Sequence, residues 1–258
     1  MPDASILTDP FGRPLKDLRI SLIDKCNFRC GYCMPNHKKY TFLPKKSLLT
    51  TDEIINFSEV FSELGVEKIR LTGGEPLLRK EVVEIVKGVK TVAGICDVAM
   101  TTNGYLLQKY ASALFAAGLD RLTVSLDTVD AKLFRYMSGG KADITPVLAG
   151  IDAAVAAGFR GLKVNMVVQK GINDQHIVDV CRYFKDKPVQ VRFIEYMDVG
   201  HSNDWNMESV YTASAIEQKP QKKQISLCPH KPQIRQPTPR RHRIPITTSI
   251  HTPLHTLH

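Results

Sequence analysis

The chain has 258 residues, 43% hydrophobic and 24% charged, enough for one sizeable core. No apolar run approaches the ~20 residues of a membrane-spanning helix. Met1-Pro2-Asp3-Ala4-Ser5 lacks the basic start of a secretory signal, so a cytoplasmic setting is expected. The net charge of +9 invites a nucleic-acid reading, but Gln218 to His258 holds eight Lys/Arg and no acid. The remainder carries 27 bases against 26 acids, so neither nucleic acid nor a membrane is an expected partner.

The first strand pattern, Leu18–Ile23, sets Leu18, Ile20 and Leu22 against Arg19 and Ser21. It runs into Cys26-Asn27-Phe28-Arg29-Cys30-Gly31-Tyr32-Cys33. Without a secretory signal, this crowding reads as metal ligation rather than disulfides. Soft thiolates suit an iron–sulfur cluster or zinc. A structural zinc site takes four ligands, and His37 is the near candidate to complete it. A [4Fe–4S] cluster on three thiolates instead leaves one iron open to a substrate or cofactor.

A helix is expected over Thr51–Leu64, with a capped start at Thr51 and Gly65 closing it. Strand Lys68–Thr72 leads into Gly73-Gly74-Glu75-Pro76. Helix Arg79–Val92, strand Asp97–Thr101, helix Leu107–Ala117, strand Arg121–Leu126 and helix Ile144–Ala157 follow. Strand Leu162–Val168, helix Asp174–Phe184 and strand Val189–Tyr196 complete the series. Gly118 and Gly158 suit helix ends. Six βα units imply a parallel sheet with right-handed crossovers. Six strands are too few for an eight-stranded barrel, leaving an open partial barrel or a doubly wound sheet.

A parallel strand buried on both faces is apolar throughout. These strands alternate, with one apolar and one polar face each. Polar faces turned inward favour a partial (β/α)6 barrel around a polar ligand. That face carries Arg19, Arg70, Lys163 and Arg192, with Asp127 as the acid among stretches 18–23, 68–72, 98–103, 122–127, 162–166 and 189–194. Four cations in one cavity are costly without an anion, which points to a small polyanion such as a polyphosphate. Solvent-facing strand ends are the alternative. The chain has no G-x-x-x-x-G-K-[ST], so side-chain cations would hold the phosphates.

The C-x-x-x-C-x-x-C spacing, with an aromatic before its last cysteine and Gly73-Gly74-Glu75-Pro76 after the second strand, resembles the radical S-adenosylmethionine enzymes. Asp17 to Ser21, Cys30 to Pro35, Lys68 to Leu77, Thr101 to Gly104, Val124 to Asp127, Lys163 to Asn165 and Arg192 to Met197 are similar to one family among them. That is the MoaA family, the GTP 3′,8-cyclases of molybdenum cofactor (molybdopterin) biosynthesis. The resemblance runs from about Asp9 to Val210. It implies that Cys26, Cys30 and Cys33 hold one [4Fe–4S] cluster, and that Tyr32, Gly74, Ser125 and Met197 contact S-adenosylmethionine. It further implies that Arg19, Arg70, Thr101, Lys163 and Arg192 contact GTP. The implied activity is that of a lyase. A 5′-deoxyadenosyl radical abstracts the ribose 3′ hydrogen, and the sugar radical attacks guanine C8 to give 3′,8-cyclo-7,8-dihydro-GTP. The implied partners are a flavodoxin- or ferredoxin-type electron donor and a downstream cyclic pyranopterin monophosphate synthase. A radical enzyme acting on another small anion, and a non-catalytic fragment, are the alternatives.

The family carries a second three-cysteine cluster in a C-terminal extension. Beyond about Tyr211 this chain offers Cys228 alone, so a second [4Fe–4S] cluster is not expected. The domain reading is therefore a barrel over residues 1–211 and a Pro-, His- and base-rich tail over 212–258. The tail shows no helix or strand period and is expected to be disordered. Cys96 and Cys181 lie beside apolar neighbours and read as buried structural thiols.

Overall fold

The computed structural model describes residues 7–198, 205–222 and 247–250. Seven parallel strands form one sheet: β1 (Asp17–Ser21), β2 (Lys68–Thr72), β3 (Asp97–Thr102), β4 (Arg121–Ser125), β5 (Leu162–Val168), β6 (Val189–Glu195) and β7 (Thr247–Ile250). Their order is β6-β5-β4-β3-β2-β1-β7. Strands β1 to β6 lie side by side in chain order, so right-handed crossovers put every helix on one face. A doubly wound sheet would reverse direction partway, so the partial barrel is the architecture formed. Among the described strands no pairing joins β6 to β7, and the sheet stays open.

The alternation places Leu18, Ile20, Ile69, Leu71, Val98 and Met100 in the core, each at most 1% exposed. The opposite face stacks in rows set by the register. Asp17, Lys68 and Asp97 form the lowest row. Arg19, Arg70, Ala99 and Arg121 form the next. Thr101, Thr123, Lys163 and Gln190 follow. Ser125, Asn165 and Arg192 lie nearest the C-terminal ends of β4, β5 and β6.

The helices are α1 (Thr51–Glu63), α2 (Val82–Thr91), α3 (Leu107–Ala116), α4 (Ala131–Met137), α5 (Thr145–Ala157), α6 (Ile177–Phe184) and α7 (Ala213–Lys222). Helix α1 is capped by Thr50, one residue before the expected position. The Thr50 hydroxyl accepts from Glu53 N–H at 3.2 Å, and the Glu53 carboxylate accepts from Thr50 N–H at 2.7 Å. Helix α2 starts three residues later than expected because Arg79 is drawn inward. Its guanidinium donates to the Leu49 carbonyl at 2.8 Å and pairs with Glu81 at 2.9 Å. Helix α4 has no counterpart among the sequence expectations. Asp130 caps it by accepting from Leu133 N–H at 2.8 Å.

The expected tail boundary at residue 211 is too early. Helix α7 buries Ala213 and Ile216, and Ala213 N–H donates to the Glu195 carboxylate of β6. Lys219 holds the Asp174 carboxylate at 2.8 Å. Those contacts give the start of the tail a docking site that composition does not show. Strand β7, also within the expected disordered tail, pairs with β1. The other tail residues, Cys228 included, lie outside the described residues. Cys96 is exposed rather than buried, its thiol 3.5 Å from the Gly94 carbonyl in the turn before β3. Cys181 is half-buried against the core. Among the described residues no helix is long and apolar enough to cross a membrane.

Candidate active site

The loop after β1 is bound to the turn after β2 by backbone contact. Gly74 N–H donates to the Ile23 carbonyl at 2.6 Å, and Glu75 N–H donates to the Lys25 carbonyl at 2.8 Å. Only glycine permits this approach. A Cβ on Gly74 would stand 2.2 Å from the Lys25 oxygen, and one on Gly73 would stand 2.4 Å from the Ile23 oxygen. Glu75 is 1% exposed and accepts three hydrogen bonds, from Leu77 N–H, Thr102 Oγ1 and Asn103 N–H at 3.0, 2.6 and 2.7 Å. Burial pushes its carboxyl up despite those donors. Glu75 thus clamps the end of β2 to the end of β3, directly behind the cysteine loop.

Cys26, Cys30 and Cys33 lie on that loop. Cys26 and Cys30 are half-buried and Cys33 is exposed. The Cys26 sulfur receives Phe28 N–H at 3.4 Å and the Asn103 amide at 3.8 Å. Burial raises the pKa of all three thiols, and the charges of Cys26 and Cys33 further raise Cys30. The sulfurs therefore lie within electrostatic reach of one another, and a cation would favour their thiolate forms. His37 is exposed, and no three His, Cys, Asp or Glu side chains among the described residues form a group able to hold a single metal ion. The zinc arrangement with His37 is not formed. A multi-iron cluster takes each thiolate on a separate iron and has no need of one shared ion. Three thiols on one loop, with N–H donors aimed at sulfur, fit such a group.

Tyr32 connects this loop to β4. Its hydroxyl donates to Asp127 Oδ2 at 2.6 Å, while Val167 N–H donates to Asp127 Oδ1 at 2.9 Å. Burial pushes the Asp127 carboxyl up to about 6, against the pull of those two donors. Burial and the Asp127 charge keep the Tyr32 phenol protonated. Tyr32, Asp127, Cys30, Asn103 and Ser125 line a common cavity at the C-terminal ends of the strands, with Phe28 and Phe134 as its apolar wall. Asn173, fully buried, supports it from behind. Its amide donates to the Asp127 and Val167 carbonyls, and its oxygen accepts from Gln169 N–H.

The expected cations share the inner face. Arg70, Lys163 and Arg192 are half-buried, and Arg19 is exposed on the adjoining strand. Burial, then the charges of Arg192, Arg121 and Arg70, hold the Lys163 amine below its ordinary range. Thr101 lies in register with Thr123, beside Lys163. Gly74 and Ser125 lie at the strand ends with the thiols, and Met197 follows β6, partly exposed. The sequence reading missed four charged inner-face residues, Asp17, Lys68, Asp97 and Arg121. Its stretches began at Val98 and Leu122, one position late, and so left out Asp97 and Arg121. Arg121 Nε donates to Asp97 Oδ1 at 2.7 Å, and a second guanidinium nitrogen pairs with Oδ2. Asp127 is therefore not the only acid of the wall.

Among relatives, the GTP 3′,8-cyclase of Staphylococcus saprophyticus is 49% identical over 207 residues, 79% of this chain and 61% of its own. That of Staphylococcus haemolyticus is 48% identical over 213 residues, 81% of this chain and 62% of its own. The chain thus spans about three fifths of the length of these curated relatives. SuiB of Streptococcus suis superposes with a TM-score of 0.62 at 17% identity, over 85% of this chain and 49% of SuiB. HydG of Carboxydothermus hydrogenoformans gives 0.58 at 17% identity, over 76% of this chain and 47% of HydG. At that identity the likeness concerns the fold alone. Residues 20–184, from β1 to the end of α6, match the family model of the cysteine-loop barrel described above, and the chain belongs to the radical SAM superfamily.

Proposed function

We propose that this chain carries the barrel of a GTP 3′,8-cyclase, a radical S-adenosylmethionine lyase of molybdenum cofactor biosynthesis. The observation that carries the substrate is the cation wall of Arg19, Arg70, Lys163 and Arg192 on the same inner face as the thiol loop's end of the barrel. Relatives named GTP 3′,8-cyclase at 48–49% identity support it.

Cys26, Cys30 and Cys33 would hold a [4Fe–4S] cluster, and Tyr32, Gly74, Ser125 and Met197 would contact S-adenosylmethionine. Bound there, the two would supply the electron and the 5′-deoxyadenosyl group for hydrogen abstraction from the ribose 3′ carbon. The protein's own part is placement. Glu75 and the two glycines fix the loop against β2, and Tyr32 fixes it against β4. Arg19, Arg70, Thr101, Lys163 and Arg192 hold the polyphosphate deeper in the barrel, so that the ribose faces the loop. The catalytic unit runs through α7, since Ala213 and Ile216 complete its core. A flavodoxin- or ferredoxin-type donor, a downstream cyclic pyranopterin monophosphate synthase and a cytoplasmic setting complete this reading.

The test is an anaerobic assay of iron- and sulfide-reconstituted protein with a reductant, S-adenosylmethionine and GTP. The reading expects 5′-deoxyadenosine and cyclised nucleotide, both lost in Cys30→Ala. Deoxyadenosine formed equally with GTP, ATP or no nucleotide, and no cyclised product, would overturn it.

A further inference from the structure

Asn103 follows directly on β3, and its orientation is fixed from two sides. Its backbone N–H donates to Glu75 Oε2 at 2.7 Å, and its side-chain oxygen accepts from Tyr105 N–H at 3.0 Å. A backbone N–H can only donate, so the atom it meets is the amide oxygen and the NH2 end points the other way. That end meets two acceptors, Asn27 Oδ1 at 2.8 Å and Cys26 Sγ at 3.8 Å. The NH2 group has one hydrogen for each.

The Cys26 sulfur thus lies within a closed ring of contacts. Phe28 N–H donates to it at 3.4 Å, and the Phe28 ring packs edge-on against Tyr105 with centroids 5.7 Å apart. Tyr105 in turn holds the Asn103 oxygen. Among the described residues, the N–H donors to sulfur converge on Cys26. Burial, then the charges of Glu75 and Cys33, hold the Cys26 thiol up, and both N–H donors work against them. Glu75 therefore disfavours negative charge on this sulfur and, through the backbone of Asn103, also holds in place a group that favours it.

We infer that Asn103 is a positioning residue that sets how readily the cluster accepts its electron, by aiming a side-chain N–H at the Cys26 thiolate. Reduction adds one negative charge, shared with the thiolate sulfurs. An N–H aimed at sulfur stabilises the reduced form more than the oxidised one. The inference rests on the cluster part of the proposed function and needs neither GTP nor S-adenosylmethionine.

The midpoint potential of the reconstituted full chain tests it, read by electron paramagnetic resonance with dithionite as reductant and viologen mediators. Asn103→Ala should lower the ratio of reduced to oxidised cluster at a fixed potential about three- to tenfold, the scale of one hydrogen bond. A tenfold fall corresponds to about 59 mV for one electron. Asn27→Ala removes the other acceptor and leaves the N–H on sulfur, so its potential should not fall. An unchanged potential in Asn103→Ala, or an equal fall in Asn27→Ala, would overturn the inference and leave Asn103 a tie between two loops. Should Asn103→Ala hold no iron, Asn103→Leu, close to the amide in shape and without its donors, decides by the same shift. Loss of iron from both Asn103 variants would also overturn it. A lowered potential with no cyclised nucleotide in the wild-type assay would keep the inference and sink the GTP reading. A wild type that assembles no cluster would sink both.

Discussion

The Tyr32 hydroxyl donates to Asp127 Oδ2 at 2.6 Å across 95 positions of sequence, and so joins the cysteine loop to the end of β4. Asp127 in turn receives Val167 N–H from β5. Truncation by Asp127→Ala leaves both donors buried without an acceptor. A loss of about 2–4 kcal/mol is expected. Iron bound per chain after reconstitution should fall with it, because Tyr32 lies between Cys30 and Cys33. Full iron loading in that variant would refute the link between the pair and the loop.

The same carboxyl sets a pH dependence. Burial raises Asp127 from 3.8 to about 6 in the folded chain. Between those values the folded state binds more protons than the unfolded state, so stability falls as pH rises through the window. The fall from this one group is of order 3 kcal/mol. Asp127→Asn keeps an acceptor for Val167 N–H and cannot ionise, so it should lack this component. Urea titrations of both proteins from pH 4 to pH 7 would compare the slopes. Parallel slopes would refute the assignment.

Gly74 and Gly31 give a matched pair. A Cβ at Gly74 would stand 2.2 Å from a backbone oxygen that cannot move without displacing the cysteine loop, whereas one at Gly31 meets nothing within 4 Å. Gly74→Ala should therefore cost several kcal/mol and abolish iron loading. Gly31→Ala, in the same motif region, should change the melting temperature little. Equal melting temperatures for the two variants would count against the close-approach account.

Strand order, strand faces and the thiol loop were legible because each depends on local periodicity or spacing. The period of two in Lys68–Thr72 and Leu162–Val168 gave both boundaries correctly. Asp97 and Arg121 open the expected strands Asp97–Thr101 and Arg121–Leu126, as they do in the structure, yet the inner-face stretches began one residue later and left the pair out. The short start of α2 follows from Arg79 reaching the Leu49 carbonyl, a tertiary contact with no local signal. Helix α4 did have one, Asp130 capping a seven-residue segment too short to show a period. Asn173 is a buried polar group whose three partners lie on two other segments and its own turn, so only the fold identifies it.

Asn173 tests how far the site depends on that buried support. It is fully buried, and its amide bridges the Asp127 and Val167 carbonyls. Asn173→Ala removes three hydrogen bonds and leaves Gln169 N–H buried without its acceptor, for an expected loss of about 2–4 kcal/mol. Asn173→Asp keeps the acceptor but loses both donors and adds a charge near Asp127, so it should be at least as damaging. Chemical denaturation ranks them. A neutral Asn173→Ala would mean that the turn after β5 holds itself.

Lys163 separates stability from binding. Its amine is half-buried and held below its ordinary range, first by burial and then by Arg192, Arg121 and Arg70. A lowered amine pKa means that the folded chain binds that proton less readily than the unfolded chain. Lys163 therefore opposes folding below its folded pKa, and stability recovers as pH rises through it. Lys163→Met removes the charge and keeps the apolar stem. The ligand-free variant should melt no lower than the wild type, with a gain of at most about 1 kcal/mol after allowance for solvent screening. A bound polyanion reverses the balance, since each cation of the wall then has a partner. Tripolyphosphate should raise the wild-type melting temperature more than that of the variant, and its affinity for the variant should fall about tenfold or more. A variant that melts lower without ligand, yet gains as much from tripolyphosphate, would place Lys163 in the frame of the barrel and outside its anion site.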